Sequence, residues 1–243
     1  MIVAVDQPNY IPWKGYFDLI HDVDLFVFYN DVQYTIRDWR NRNKIYTPNG
    51  DKWLSVPCGN NRNRLIYEVK ISDTSWQKNH YETIRHAYGK RPFFEWVEPF
   101  LREVYLSRQW EYLYELDMYM TEYIAREFLG IKTKFADSRD YHAEGHKHER
   151  MLSLLDSIGA YIYESGPAAK DYIIGEDYRK KGIELRWKSY DGYPEYNQEG
   201  EKFNHYLSII DLLCNVGETA PYYIWGWREE KKSTSWICDG KEV

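Results

Sequence analysis

The stretch QPNYIPWKGYFDLI, residues 7–20, packs two prolines, Gln7, Asn9, Trp13 and Lys14 between an apolar run and a segment with helical spacing. Prolines fix such a loop, while amides and a lysine supply donors and acceptors, as expected of a wall beside a polar ligand. Its place strengthens the reading. In α/β folds, ligands bind where a strand's carboxyl end turns into a helix, because helix N-terminal amides point there. A second polar stretch, YNDVQYTIRDWRNRNKI (29–45), follows the next apolar run and sets Asp31, Gln33, Arg37, Arg40, Asn41, Arg42 and Asn43 within thirteen positions. Arginine and asparagine together suit carboxylate, phosphate or sugar hydroxyls. If the two preceding strands are parallel neighbours, both stretches leave the sheet on one edge. Gln7, Asn9, Asp31, Gln33, Arg37 and Asn43 are then expected to line one cleft there.

Four further places carry chemistry-bearing residues. In SWQKNHYETIRHAYG, Trp76, His80, Ile84 and Tyr88 share one helix face, and His80 is a general base if that face meets the cleft. YESGPAAKDY (163–172) brings Ser165, Gly166 and Tyr172 to another strand-to-helix turn, without a Walker-type or Rossmann glycine pattern. YPEYNQ contributes Gln198, and the stretch 205–216 sets Ser208, Asp211 and Asn215 on one polar stripe. HAEGHKHE (142–149) clusters His142, His146 and His148, yet its spacing fits no standard zinc pattern, so it reads as an exposed polar helix start.

The elements that must position these residues are strands at 2–6 and 25–29 with a helix between them, the unit of a parallel sheet. Further strands are expected at 44–56, 66–72, 132–136, 161–164 and 183–189. Helices are expected at 75–88, 94–106 with a kink at Pro99, 110–129, 147–158 and 205–216. The pattern is α/β: a mostly parallel sheet flanked by helices, in one domain over 1–243 with a helical block inserted at about 75–130.

Bulk properties narrow the function. A formal net charge of −6 argues against a nucleic-acid phosphate track. No apolar run approaches the roughly 20 residues of a membrane span, and no signal peptide precedes the first strand. Three cysteines without paired spacing suit a reducing, cytoplasmic setting. The 24 tyrosines and 10 tryptophans offer flat apolar faces with polar edges, which suit a polar, ring-shaped ligand as well as a core. No residue pattern names a cofactor.

Taken in order, QPNYIPWKGYFDLI, DLFVFYNDVQY, RNRNKI, WLSVP, SGPAAKDYI, YPEYNQ and LSIIDLLCNVG resemble the WbqC-like family over almost the whole chain. The resemblance implies a cytoplasmic bacterial protein of O-antigen and surface-glycan assembly. Members often carry histidine immediately before the Gln-Pro pair. Asp6 stands there in this chain, so a base at that place is Asp6 or is missing. The opening is also similar, more faintly, to pantothenate synthetase and related nucleotidylyl-transfer enzymes, although WKGY stands where their HxGH signature would. The resulting expectation is a transferase or ligase that attaches an acyl or aminoacyl group to a nucleotide-linked amino sugar. His80 or Asp31 would serve as base, with Gln7, Gln33, Arg37 and Asn43 holding the substrate. The alternative is a non-catalytic glycan or nucleotide-sugar binding protein that assists assembly.

Overall fold

The computed structural model describes residues 1–171, 173–200 and 202–229. β1 (Ile2–Asp6) and β2 (Leu25–Phe28) are short, apolar and buried on both faces, as strands in the middle of a parallel sheet must be. Their side chains alternate between two cores. Ala4, Phe26 and Phe28 face one, whereas Val3, Val5, Leu25 and Val27 face the other. With β5 (Lys134–Asp137), β6 (Ile162–Ser165) and β7 (Glu184–Trp187) they form a five-stranded sheet in the order β5-β2-β1-β6-β7. Every pairing in it is parallel.

This is a doubly wound order. The chain steps outward from β1 to β2 and β5, then returns to the other side of β1 for β6 and β7. The strand order therefore reverses between β1 and β6, where such sheets open a crevice at their carboxyl edge.

Helices cover both faces. On the first lie α1 (Lys14–His21), α2 (Ser75–Tyr88), α3 (Phe94–Arg102), α4 (Leu113–Tyr123) and α7 (Ile209–Val216), which bury residues such as Phe17, Ile84, Phe100, Met120 and Leu213. On the second lie α5 (His148–Ile158) and α6 (Gly175–Lys180), through Leu154, Leu155 and Tyr178. Among the described residues no helix is long and apolar enough to cross a membrane.

Several boundaries differ from the sequence reading. The run 44–56 is a hairpin, β3 (Arg42–Thr47) and β4 (Gly50–Ser55), which forms a separate antiparallel pair. Residues 66–72 do not form a strand. Ile66 and Tyr67 donate instead to the Val32 and Asn30 carbonyls in the loop after β2, and a 3₁₀ turn closes over Ile66–Glu68 with the Glu68 carboxylate accepting from the Leu65 amide. The last helix starts at Ile209 because Ser208 caps it, its hydroxyl accepting from the Ile210 amide. α6 carries too short a periodic pattern to be read in advance.

One buried ion cluster ties the far strand to α1. Asp18 is fully buried and accepts from Lys188 just after β7 at 3.0 Å, from Tyr193 at 2.5 Å and from both terminal nitrogens of Arg228 at 2.5 and 2.8 Å. Removing Asp18 leaves the Tyr193 hydroxyl and the half-buried Arg228 guanidinium without their carboxylate, while Lys188 keeps its pairing with Asp22. Asp18→Ala is therefore expected to lower the unfolding free energy in urea by about 3–5 kcal/mol. A loss below about 1 kcal/mol would show the cluster to be solvated.

Candidate functional site

The carboxyl ends of β1, β2 and β6 open into a cleft of about 880 Å³. Asp6 and Gln7 enter it from β1, Asp31 and Gln33 from the loop after β2, and Ser165 and Gly166 from the end of β6. Its apolar wall includes Val5, Met151, Tyr163 and Tyr178, and the start of α5 closes one side with His146, Lys147, His148 and Arg150. A largely apolar hollow with a few convergent polar groups, at the topological switch point, is the usual form of a small-molecule site.

Asp6 ends the central strand. Its Oδ1 accepts from the Gln7 amide at 2.7 Å, and burial pushes its carboxyl above the usual aspartate range, with Arg40 and the Gln7 amide acting against that rise. A carboxylate with raised basicity is a better proton acceptor than an ordinary aspartate. Gln7 is held beside it. Its side-chain carbonyl accepts from Arg40 Nε at 2.6 Å, and Arg40 is itself anchored on Asp38 at 2.7 Å. Its amide nitrogen, with no partner among the described residues, is a donor for whatever enters.

Asp31 is placed differently. Ser138 donates to it at 2.6 Å and Arg150 pairs with its other oxygen. Ser138 also accepts from the Asn30 amide at 3.1 Å, and Asn30 donates to Asp137 at 2.7 Å, so the exits of β2 and β5 are fastened together. Asp31 thus anchors Arg150 at the cleft wall rather than offering a free base. His148 Nε2 lies 3.2 Å from Asp177, and its buried Nδ1 has no partner among the described residues. The first turn of α5 carries Glu149 beside His148 and Arg150, and Arg150 is turned to Asp31 and to the Ala143 carbonyl.

Other sequence candidates lie outside this cleft. His80 faces the core: its Nδ1 is 2.8 Å from the Tyr10 hydroxyl, which is 2.5 Å from that of Tyr105, and the Trp76 ring packs against it. Burial lowers its pKa to about 4, against a smaller opposing effect of the Ser55 backbone. The expectation of His80 as the base is corrected on that ground; it fastens the loop from within. Asn43 is also buried, and its amide donates to the Tyr10 and Ile11 carbonyls at 3.2 and 2.9 Å. Those bonds hold Ile11 at φ 37°, a left-handed conformation that a β-branched residue adopts only under constraint. Asn41 closes the base of the hairpin, donating to the Val56 carbonyl at 2.9 Å. Asn9 is half-buried with its Oδ1 unpartnered among the described residues, and Arg37 is exposed at φ 54°. Neither lines the cleft.

Trp13, Gln198 and Asp211 belong to a neighbouring aromatic cluster. The Trp13 ring meets Tyr190 at 5.0 Å and Tyr206 at 5.4 Å, and it lies so close over Gly15 that a Cβ there would come within 2.2 Å of it. Asp211 accepts from Tyr196 and Gln198 at 2.6 Å each. Lys14 lies nearby, its ammonium 4.8 Å from the Tyr193 ring and 5.6 Å from that of Tyr196, and burial lowers its pKa to about 8. Tyr172 lies outside the described residues. The residues that sequence reasoning left out of the site are His146, His148 and Arg150. Their helix-start position was visible, but the packing of α5 beside β1 and β6 was not.

A model of the WbqC-like protein family matches residues 7–223. The chain is 40% identical over 224 residues to the uncharacterized protein Rv1507c of Mycobacterium tuberculosis, covering 91% of this chain and 96% of that protein. No solved structure matches significantly.

Two substitutions separate scaffold from site. Asn43→Ala strands two buried carbonyls and is expected to cost about 1–3 kcal/mol in urea unfolding. His80 acts through pH: because its folded pKa lies below the unfolded value, the unfolded chain takes up a proton first, and stability falls as pH drops from about 6.5 to about 4. His80→Gln should remove that part of the acid sensitivity. Equal losses between pH 7 and pH 4.5 in both proteins would contradict it.

Proposed function

Because the chain belongs to the WbqC-like protein family, we propose that it transfers an acyl or aminoacyl group to the amine of a nucleotide-linked amino sugar during surface-glycan assembly. The observation that carries this reading is the raised carboxyl of Asp6 at the end of the central strand, facing a cleft of about 880 Å³ with amide and hydroxyl donors beside it. That volume suits a sugar ring together with the reacting end of an acyl donor. Family membership supports an association with glycan biosynthesis, and Asp6 stands immediately before the Gln7–Pro8 pair at the cleft.

The chemistry assigned to each residue follows from what it touches. An amino sugar is unreactive as an ammonium, so the acceptor must lose a proton as the new bond forms. Asp6 takes it. The attacked carbonyl develops negative charge on oxygen, and preorganised donors stabilise such charge best in a dry site. The free amide of Gln7 and the hydroxyl of Ser165 are the donors at hand. The buried Nδ1 of His148, at the first turn of α5 and unpartnered among the described residues, offers a further polar contact to donor or acceptor. Gly166, without a side chain, lets a substrate approach the backbone of the turn after β6.

A second reading, binding without turnover, draws support from Asp31, which is already engaged by Arg150 and Ser138 and leaves the burden of catalysis on Asp6. The two readings part in one experiment. The pure protein is incubated with nucleotide-linked amino sugars and a panel of activated acyl and aminoacyl donors, and products are read by mass spectrometry. Asp6→Asn should reduce product formation about 100-fold or more while retaining substrate binding. The acid limb of kcat/KM should fall above the pKa of an ordinary aspartate, since the raised carboxyl must be ionised to act. Substrate binding without product from any donor would favour the binder. Full activity in Asp6→Asn would remove Asp6 from the mechanism.

A further inference from the structure

On the outer face of the β3–β4 hairpin two tryptophans stand in the open. Trp39 is 43% and Trp53 40% exposed, and their rings lie 5.4 Å apart at an angle of 38°. Large apolar rings are seldom left to water side by side without a reason. Here they are also bordered by positive charge. The Arg42 guanidinium lies 4.3 Å from the centre of the Trp53 ring and the Lys44 ammonium 5.1 Å from it. The pairing register explains the grouping: Lys44 stands opposite Trp53, and Arg42 lies one step along the same face. Lys44 leans on Asp51 at 3.5 Å, but Arg42 has no carboxylate partner among the described residues, and its Nε is buried and unpartnered among them.

The pair is connected to the cleft by the backbone. The carbonyl of Trp39 accepts from the Tyr10 amide at 3.0 Å, and the next residue, Arg40, holds Gln7 on the cleft wall. A substrate seated against Gln7 would have to be longer than one sugar ring and to follow this connection in order to meet the indoles.

We infer that Trp39, Trp53 and Arg42 form a second subsite that takes the nucleoside diphosphate part of the substrate, the base stacking on the indoles and a phosphate meeting the guanidinium. This rests on the proposed reading of the cleft as the place of the sugar. Flat rings accept any base, since every base has a π-face, and such stacking is worth about 1–3 kcal/mol per base. An arginine over an indole and without a carboxylate partner among the described residues keeps outer N–H groups for a phosphate fork. A neutral sugar would use the rings but not the charge, and an inorganic anion the charge but not the rings. A nucleoside diphosphate uses both. The subsite should therefore recognise base and diphosphate with little choice among bases, leaving sugar selection to the cleft.

The test titrates the full-length protein with uridine diphosphate, thymidine diphosphate, guanosine diphosphate, uridine and an oligogalacturonate, by calorimetry and by tryptophan emission. The diphosphates should bind with comparable affinity and quench emission. Trp39→Ala with Trp53→Ala should weaken them about tenfold or more while the protein stays folded at the titration temperature, and Trp39→Phe with Trp53→Phe, which keeps stacking rings, should recover part of that affinity. Arg42→Met should weaken the diphosphates more than uridine. Gln7→Ala should leave diphosphate binding intact while impairing any product formed from the nucleotide-linked amino sugar, so a failure of the cleft reading shows separately. Unchanged diphosphate affinity in the double tryptophan variant, no diphosphate binding at millimolar concentration, or binding of the oligogalacturonate in place of the nucleotides would each overturn the inference.

Discussion

β1 is hydrogen-bonded to a parallel strand on either side, so three chain segments leave the sheet at one edge and cannot do otherwise without breaking the register. Val3 is paired with Leu25 on one side and Tyr163 on the other, which fixes where each strand ends relative to its neighbours. Asp6, Asp31 and Ser165 are brought together by that register. Because the order reverses between β1 and β6, the connections from these two strands run away from each other, and the space between them stays open. The cleft follows from topology before any side chain is considered.

Side chains then decide how rigid it is. The loop after β1 carries Ile11 in a left-handed conformation whose cost is on the order of 1–3 kcal/mol, and its surroundings hold it there. Asn43 grips two consecutive carbonyls, Ile209 donates to the Pro12 carbonyl at 2.9 Å, and Tyr10 is locked between His80 and Tyr105. A fixed loop keeps Gln7 and Asp6 in place without a ligand, which lowers the ordering cost of binding. Polar residues that look alike in sequence therefore divide into two groups: those that hold the loop, such as Asn43 and His80, and those that the loop presents, such as Gln7 and Asp6.

Periodicity and strand-end polarity made much of this legible. The apolar runs at 2–6 and 25–29, separated by a helical segment, sufficed to predict adjacent parallel strands, and from those the shared edge of Gln7, Asp31 and Gln33. The SGP turn at 165–167 was legible only as a strand-to-helix turn, without a signal that it would meet the other two segments. What could not be read was the direction of individual side chains. Arg37 and Asn43 have the same chemistry-bearing types as Gln7 and Gln33, yet one is exposed and the other buried under Tyr10. His80 shares its helix face with Trp76 and Ile84, a spacing that cannot distinguish a core from a cleft. The His146–Arg150 segment lies more than a hundred residues from Asp31 and meets it only through the packing of α5 on the sheet, a contact with no local signature.

The most direct measurement of where this protein binds is hydrogen–deuterium exchange in the presence and absence of a nucleotide-linked amino sugar. Protection should appear in the three loops at the carboxyl edge, at residues 31–33, 146–148 and 165–169. Protection confined to the shallow hollow around Thr47, Lys52 and His86 on the opposite end of the β3–β4 hairpin, with those three loops unchanged, would contradict a site at the switch point.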